Sequence, residues 1–126
     1  MIDIKTLFID YIKNLHQQAN LLPDGNVHFV INGLNFIFEW KETDPSYTRV
    51  MLPNIDFKND QTIEIVMRIN REYKVAKIIE VDNHLWAVAE SFVVSAENID
   101  FIFNRLIKLL IDVYTAYYEQ KEQTKQ

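Results

Sequence analysis

The chain has 126 residues and no cysteine, which excludes disulfides, thiolate nucleophiles, zinc–thiolate sites and iron–sulfur clusters. Its formal net charge of −5 denies it the basic field that draws proteins to phosphate backbones, so no nucleic-acid partner is expected. No apolar run approaches the roughly 20 residues that span a bilayer, and the opening Met1-Ile2-Asp3-Ile4-Lys5 lacks the basic-then-apolar layout of a secretory signal. The expectation is one cytoplasmic domain over residues 1–126 with no membrane partner.

Asp3 to about Asn20 reads as an amphipathic helix. Ile4, Leu7, Phe8, Tyr11 and Leu15 recur at three- and four-residue spacing, Asp3 suits the N-cap, and Leu22-Pro23 forbids continuation. Val27–Ile31 and Leu34–Trp40 then form two strand-like runs around Asn32-Gly33, a pair that accepts the positive φ angles of a type I′ hairpin turn. Leu34, Phe36, Phe38 and Trp40 alternate onto one face; Asn35, Ile37 and Glu39 take the other. A third strand is expected over Tyr47–Leu52, ended by Pro53.

The period lengthens again from Asp60 to about Tyr73. A short helix is expected there, capped by Asp60, with Ile63, Val66, Met67 and Asn70 as its stripe and Ile65 and Ile69 beside it. Lys77–Asp82 and Leu85–Phe92 read as a second hairpin turning at Asn83-His84. In its second strand Trp86, Val88 and Glu90 share a face, while Leu85, Ala87 and Ala89 share the other, where the small alanines call for a close neighbour. Ser95 caps a long last helix whose stripe is Ile99, Ile102, Phe103, Leu106, Leu109, Leu110, Val113 and Tyr117. Phe101, Ile107, Ile111 and Tyr114 extend beyond the stripe, and the polar end 119–126 is expected to fray.

The fold class that follows is α+β in the order α-β-β-β-α-β-β-α. Its sheet is five-stranded and largely antiparallel, with helices packed on it. That order resembles the YbjN-like and type III secretion chaperone-like family. The resemblance rests on the helix Ile4–Leu15, the hairpin Val27–Trp40, Pro53 after the third strand, Arg68-Ile69-Asn70 ending the middle helix, the hairpin Ala76–Phe92 and the helix Ser95–Tyr118. It implies a binding role. Secretion chaperones of this fold are small acidic proteins, commonly dimers, that hold an extended client polypeptide, and YbjN-like proteins are regarded as regulatory or chaperone-like. Neither group supplies a catalytic set to carry over.

The residues themselves offer little chemistry. His16, His28 and His84 lie in different elements without metal-ligand spacing, and no cofactor is implied. Asp82-Asn83-His84 places a carboxylate near an imidazole but has no nucleophile, and reads as turn chemistry. Glu39, Glu42 and Asp44 sit at a strand end and in a polar loop, and Gly25 and Gly33 stand alone rather than in a phosphate cradle.

Apolar surface is what remains. Phe36, Phe38, Trp40 and Trp86 could form one aromatic cluster on the sheet, as plain core or as a groove for a peptide. The candidate partner or dimer surface is Trp40, Trp86, Phe101, Ile107, Ile111 and Tyr114. The expected function is a non-enzymatic protein-binding module, chaperone-like or regulatory, acting as a homodimer on a polypeptide client. The alternative is a small-molecule sensor or minor enzyme with a pocket between the last helix and the sheet, served by distant residues such as Glu39, Glu90 or His28.

Overall fold

The computed structural model describes residues 3–124. Helix α1 spans Ile4–Asn14 and buries Ile4, Phe8, Tyr11 and Ile12. Asp3 caps it as expected: one carboxylate oxygen accepts from the Thr6 amide at 3.1 Å and the other from the Thr6 hydroxyl at 2.8 Å. The helix ends well before Asn20 because His16 adopts φ 60°. The His16 amide donates to Lys13 O and the Gln17 amide to Ile12 O, which is a Schellman ending with histidine where glycine is usual. The released chain forms a short strand, β1 (Ala19–Leu21), where helix was expected.

Strands β2 (Val27–Ile31) and β3 (Leu34–Lys41) are joined by Asn32 and Gly33 at φ 53° and 76°, the left-handed pair that a type I′ turn requires. Strand β4 runs over Asp44–Phe57, so Pro53 does not end it. The ladder to its neighbour shifts register between Leu52 and Asp56, and Asn54 takes φ 52° there. A bulge releases ladder hydrogen bonds, and this is where a central strand tolerates a residue with no N–H.

Helix α2 (Asp60–Glu72) is capped by Asn59 rather than Asp60. The Asn59 side chain accepts from the amides of Gln61 and Thr62, and Thr62 Oγ1 accepts from the Asn59 amide. Thr62, Ile65 and Ile69 face inward, whereas Ile63 and Met67 of the expected stripe are 44% and 51% exposed. Strands β5 (Ala76–Val81) and β6 (His84–Phe92) turn at Asp82-Asn83, one residue earlier than expected, because those two take φ 50° and 65°. Ser95 caps a 3₁₀ turn, Ala96–Asn98, that leads into helix α3 (Ile99–Thr124). The expected frayed end is therefore helical as far as Thr124; positions 125 and 126 lie outside the described residues.

The sheet has six strands rather than five, in the order β1-β2-β3-β4-β6-β5, and every neighbouring pair is antiparallel. The extra strand is β1. Two ladder rows face the helices: Val27, Phe38, Val50, Ala89 and Ala76, and then Phe29, Phe36, Leu52, Ala87 and Ile78. All three helices bury residues in the one core that covers this face. Phe8 of α1 stacks on Phe38 at 3.9 Å between centroids and meets Phe29 and Phe103 edge-on. The alanines of β6 do have their close neighbour, since α3 lies over that strand.

Candidate partner-binding surface

The opposite face of the sheet carries no helix. Side chains alternate across a strand, so residues one position off the core rows must stand there. Ile37, Met51 and Val88 form one row, continued by His28 on one side and Lys77 on the other. Met51 and Val88 are each 4% exposed yet belong to no part of the helix-covered core. Trp86 stands two residues along β6 from Val88, directly opposite Ile79. It is half-buried, and its indole N–H donates to Asn54 Oδ1 at 2.9 Å, so the bulge in β4 fixes the ring.

Polar pairs border this apolar strip. Arg49 bonds Glu39 at 3.0 Å, with Glu90 opposite it on the other strand, and the Arg49 Nε is buried with no acceptor. The Tyr47 hydroxyl donates to Glu90, and His28 Nε2 lies 2.9 Å from Asn35 Oδ1. Burial, and then the Glu90 carboxylate that its proton bridges, pushes the Tyr47 phenol up to about 12. An aromatic anchor within an apolar strip and a ring of paired polar groups is the layout of a protein-binding patch.

The six residues expected to form the surface do not come together. Trp40 lies on the helix-covered side, packed against the core, with its indole N–H donating to Pro45 O at 3.1 Å. The cluster of Phe36, Phe38, Trp40 and Trp86 is thus divided by the sheet, with only Trp86 on the helix-free face. Ile107 is 5% exposed, a core residue with nothing to offer a partner, and Ile111 and Tyr114 are half-buried against the same core. Phe101 alone among the α3 candidates is exposed, at 69%. Sequence reasoning missed Met51 and Ile79 as neighbours of Trp86. The signal was the apolar residues in the outward register of their strands.

Most of the space between α3 and the sheet is filled by Phe103, Leu106, Leu110, Val113 and Tyr117, leaving a recess of about 160 Å³ between Tyr114 and Leu34, Leu52 and Ile55. Glu39, Glu90 and His28 stand in the outward register and cannot line it. The histidines are accounted for locally. His16 ends α1, and His84 lies in β6 with its ring 4.6 Å from that of Phe57. Among the described residues no group of three metal-ligating side chains converges, and no helix is long and apolar enough to cross a membrane.

The C-terminal half of α3 is tied to the β4 bulge. Asp56 accepts from Tyr117 at 2.7 Å and from Lys121 at 2.6 Å, and Tyr118 donates to Ile55 O. Burial opposes the Asp56 charge, but the bonds from Lys121, Tyr117 and the Phe57 amide prevail and hold the carboxyl below its ordinary value. At the far edge of the sheet the Asn70 side chain bonds both the N–H and the C=O of Ile78, at 2.8 and 2.9 Å.

No protein-family model matches the chain, and no curated protein matches it by sequence. Its fold is nevertheless that of a known class, an antiparallel sheet with helices on one side, shared by a regulator-like protein and a secretion chaperone. One is YbjN of E. coli, described as a proposed transcription regulator. It superposes with a TM-score of 0.63 at 10% identity, over 91% of this chain and 92% of its own. The other is the Yersinia pestis type III secretion chaperone SycH, solved in complex with a stable fragment of YscM2. Its TM-score is 0.55 at 12% identity, over 87% of this chain and 98% of its own.

Proposed function

We propose that this chain is a non-enzymatic, chaperone-like or regulatory module that binds a polypeptide on the helix-free face of its sheet, with Trp86 as the anchor. The observation that carries this reading is the half-buried Trp86 with Ile37 on the helix-free face, seated over the buried Met51 and Val88 and bordered by paired polar groups. Client side chains laid against the part-exposed Trp86 and Ile37 gain about 25 cal/mol for each Å² of apolar surface removed from water. A central Trp of this kind is typically worth 2 kcal/mol or more in binding, about thirtyfold in affinity. That SycH was solved holding a fragment of a second polypeptide supports the reading.

The test compares two tryptophans. Affinity capture from the host, read by native mass spectrometry, identifies the bound polypeptide. Trp86→Ala should then weaken its binding by roughly thirtyfold while barely moving the melting temperature. Trp40→Ala should do the reverse, because Trp40 packs against the core. Equal capture by wild type and Trp86→Ala sinks the proposal. If sedimentation shows two copies of the chain and Trp86→Ala separates them, the face serves self-association and the client reading fails.

A further inference from the structure

We infer that Asn70 acts as a built-in surrogate strand, closing the β5 edge of the sheet against pairing with a second copy of the chain. An edge strand presents a row of unpaired N–H and C=O groups that any other open strand can take up. In an antiparallel ladder, alternate residues turn both groups toward the neighbour and the intervening ones turn both away. Ile78 gives its N–H and C=O to Asn70, so it turns away from β6, and Ala76 and Glu80 turn the same way. The Asn70 carboxamide offers one acceptor and one donor, as a peptide unit of a seventh strand would.

The predecessor of Asn70, Ile69, is fully buried and anchors the end of α2 in the core, so the next side chain is carried out over the sheet edge. Earlier turns of α2 flank the same edge. Thr62, Ile63, Val66 and Met67 line a groove of about 260 Å³ with Ile79, Glu80 and Leu85, and a Lys58–Glu80 pair at 2.6 Å closes one wall.

Without the carboxamide the edge would suit a copy of itself. An antiparallel β5–β5 pair centred on Ile78 sets Ala76 against Glu80 and Lys77 against Ile79, so no like charges face each other. The β1 edge is only three residues long. The longer and self-complementary edge is the one that carries the plug.

Amide hydrogen exchange on the wild-type protein is the first test. The Ile78 amide should exchange more slowly than the outward Glu80 amide by on the order of tenfold. Equal rates overturn the inference: both fast means the Asn70 bond does not persist, and both slow means the edge is already paired. Asn70→Leu keeps the branched shape and removes both bonds. It should raise the Ile78 rate to that of Glu80 and add a concentration-dependent association step, seen by sedimentation, that wild type lacks. Asn70→Asp keeps an acceptor for the Ile78 N–H and should leave that amide slow. An open Ile78 amide in Asn70→Leu with the association state of wild type would show that Asn70 guards nothing.

Discussion

Asp56→Asn isolates the clasp between α3 and the bulge in β4. The substitution keeps the size and one oxygen but removes the charge that two donors converge on, Tyr117 at 2.7 Å and Lys121 at 2.6 Å. Tyr117 is fully buried, and its bond falls from a charge-assisted one to a neutral one on the remaining oxygen, a loss of roughly 1 kcal/mol. Lys121 is 30% exposed at its side chain, and solvent screening limits its share to roughly 1 kcal/mol or less. The expected loss is about 1–2 kcal/mol at neutral pH, which lowers a urea midpoint by roughly 0.5–1 M. The sign of the pH dependence follows from the depressed carboxyl. A group held below its unfolded value stabilises fully above that unfolded value, near pH 4, and the contribution disappears as pH falls through the folded one. Urea unfolding of both proteins at about pH 7 and about pH 2.5 should therefore show a gap that narrows sharply in acid. A gap of the same size at both pH values would refute the electrostatic account and leave only a change of shape.

Phe8→Ala removes a fully buried ring that contacts Phe29, Phe38 and Phe103, and should cost about 3–5 kcal/mol in chemical denaturation; a loss under about 1.5 kcal/mol would mean that the site collapses around the gap. His16→Gly should raise stability by roughly 0.5–1 kcal/mol, because glycine takes the φ 60° of this helix ending without the side-chain penalty. A lower melting temperature for that variant would show that the His16 ring makes a contribution larger than its backbone penalty.

Local rules carried the elements that depend on them. Asp3 and Ser95 each accept from an amide two or three residues on, Asn32-Gly33 acts through its own positive φ angles, and each stands where its chemistry places it. The failures are equally physical. Gln17-Gln18-Ala19 are good helix formers, and only a left-handed His16 and a partner in β2 take the chain out of the helix and into a strand from Ala19. Pro53 forbids a ladder bond, but a bulge makes that bond unnecessary, and the bulge is set by pairing with β6 more than thirty residues away. On α2 both pairs have helical spacing, and packing against α3 and β5 selects Ile65 and Ile69 over Ile63 and Met67. The candidate surface was half legible. Trp86, Val88 and Glu90 share a face as their alternation required, but no pattern within one strand tells which side the helices will cover. Asn70 in an apolar stripe was a polar residue in an unexpected place, and its partner lies on another element.

The strand order has a consequence for how the chain finds its shape. Neighbours β2, β3 and β4 follow one another in sequence, as do β5 and β6, so each group can zip from its own turn. Between them lies one seam, β4 against β6, and closing it means bringing together segments separated by the whole of α2 and β5. The entropy of that loop closure falls on a single event. The residues that meet there are Val50 with Ala89 and Leu52 with Ala87, and α3 lies over β6. Synthesis from the N-terminus delivers β6 and α3 after β1–β4, so the β4 edge stays open until β6 arrives.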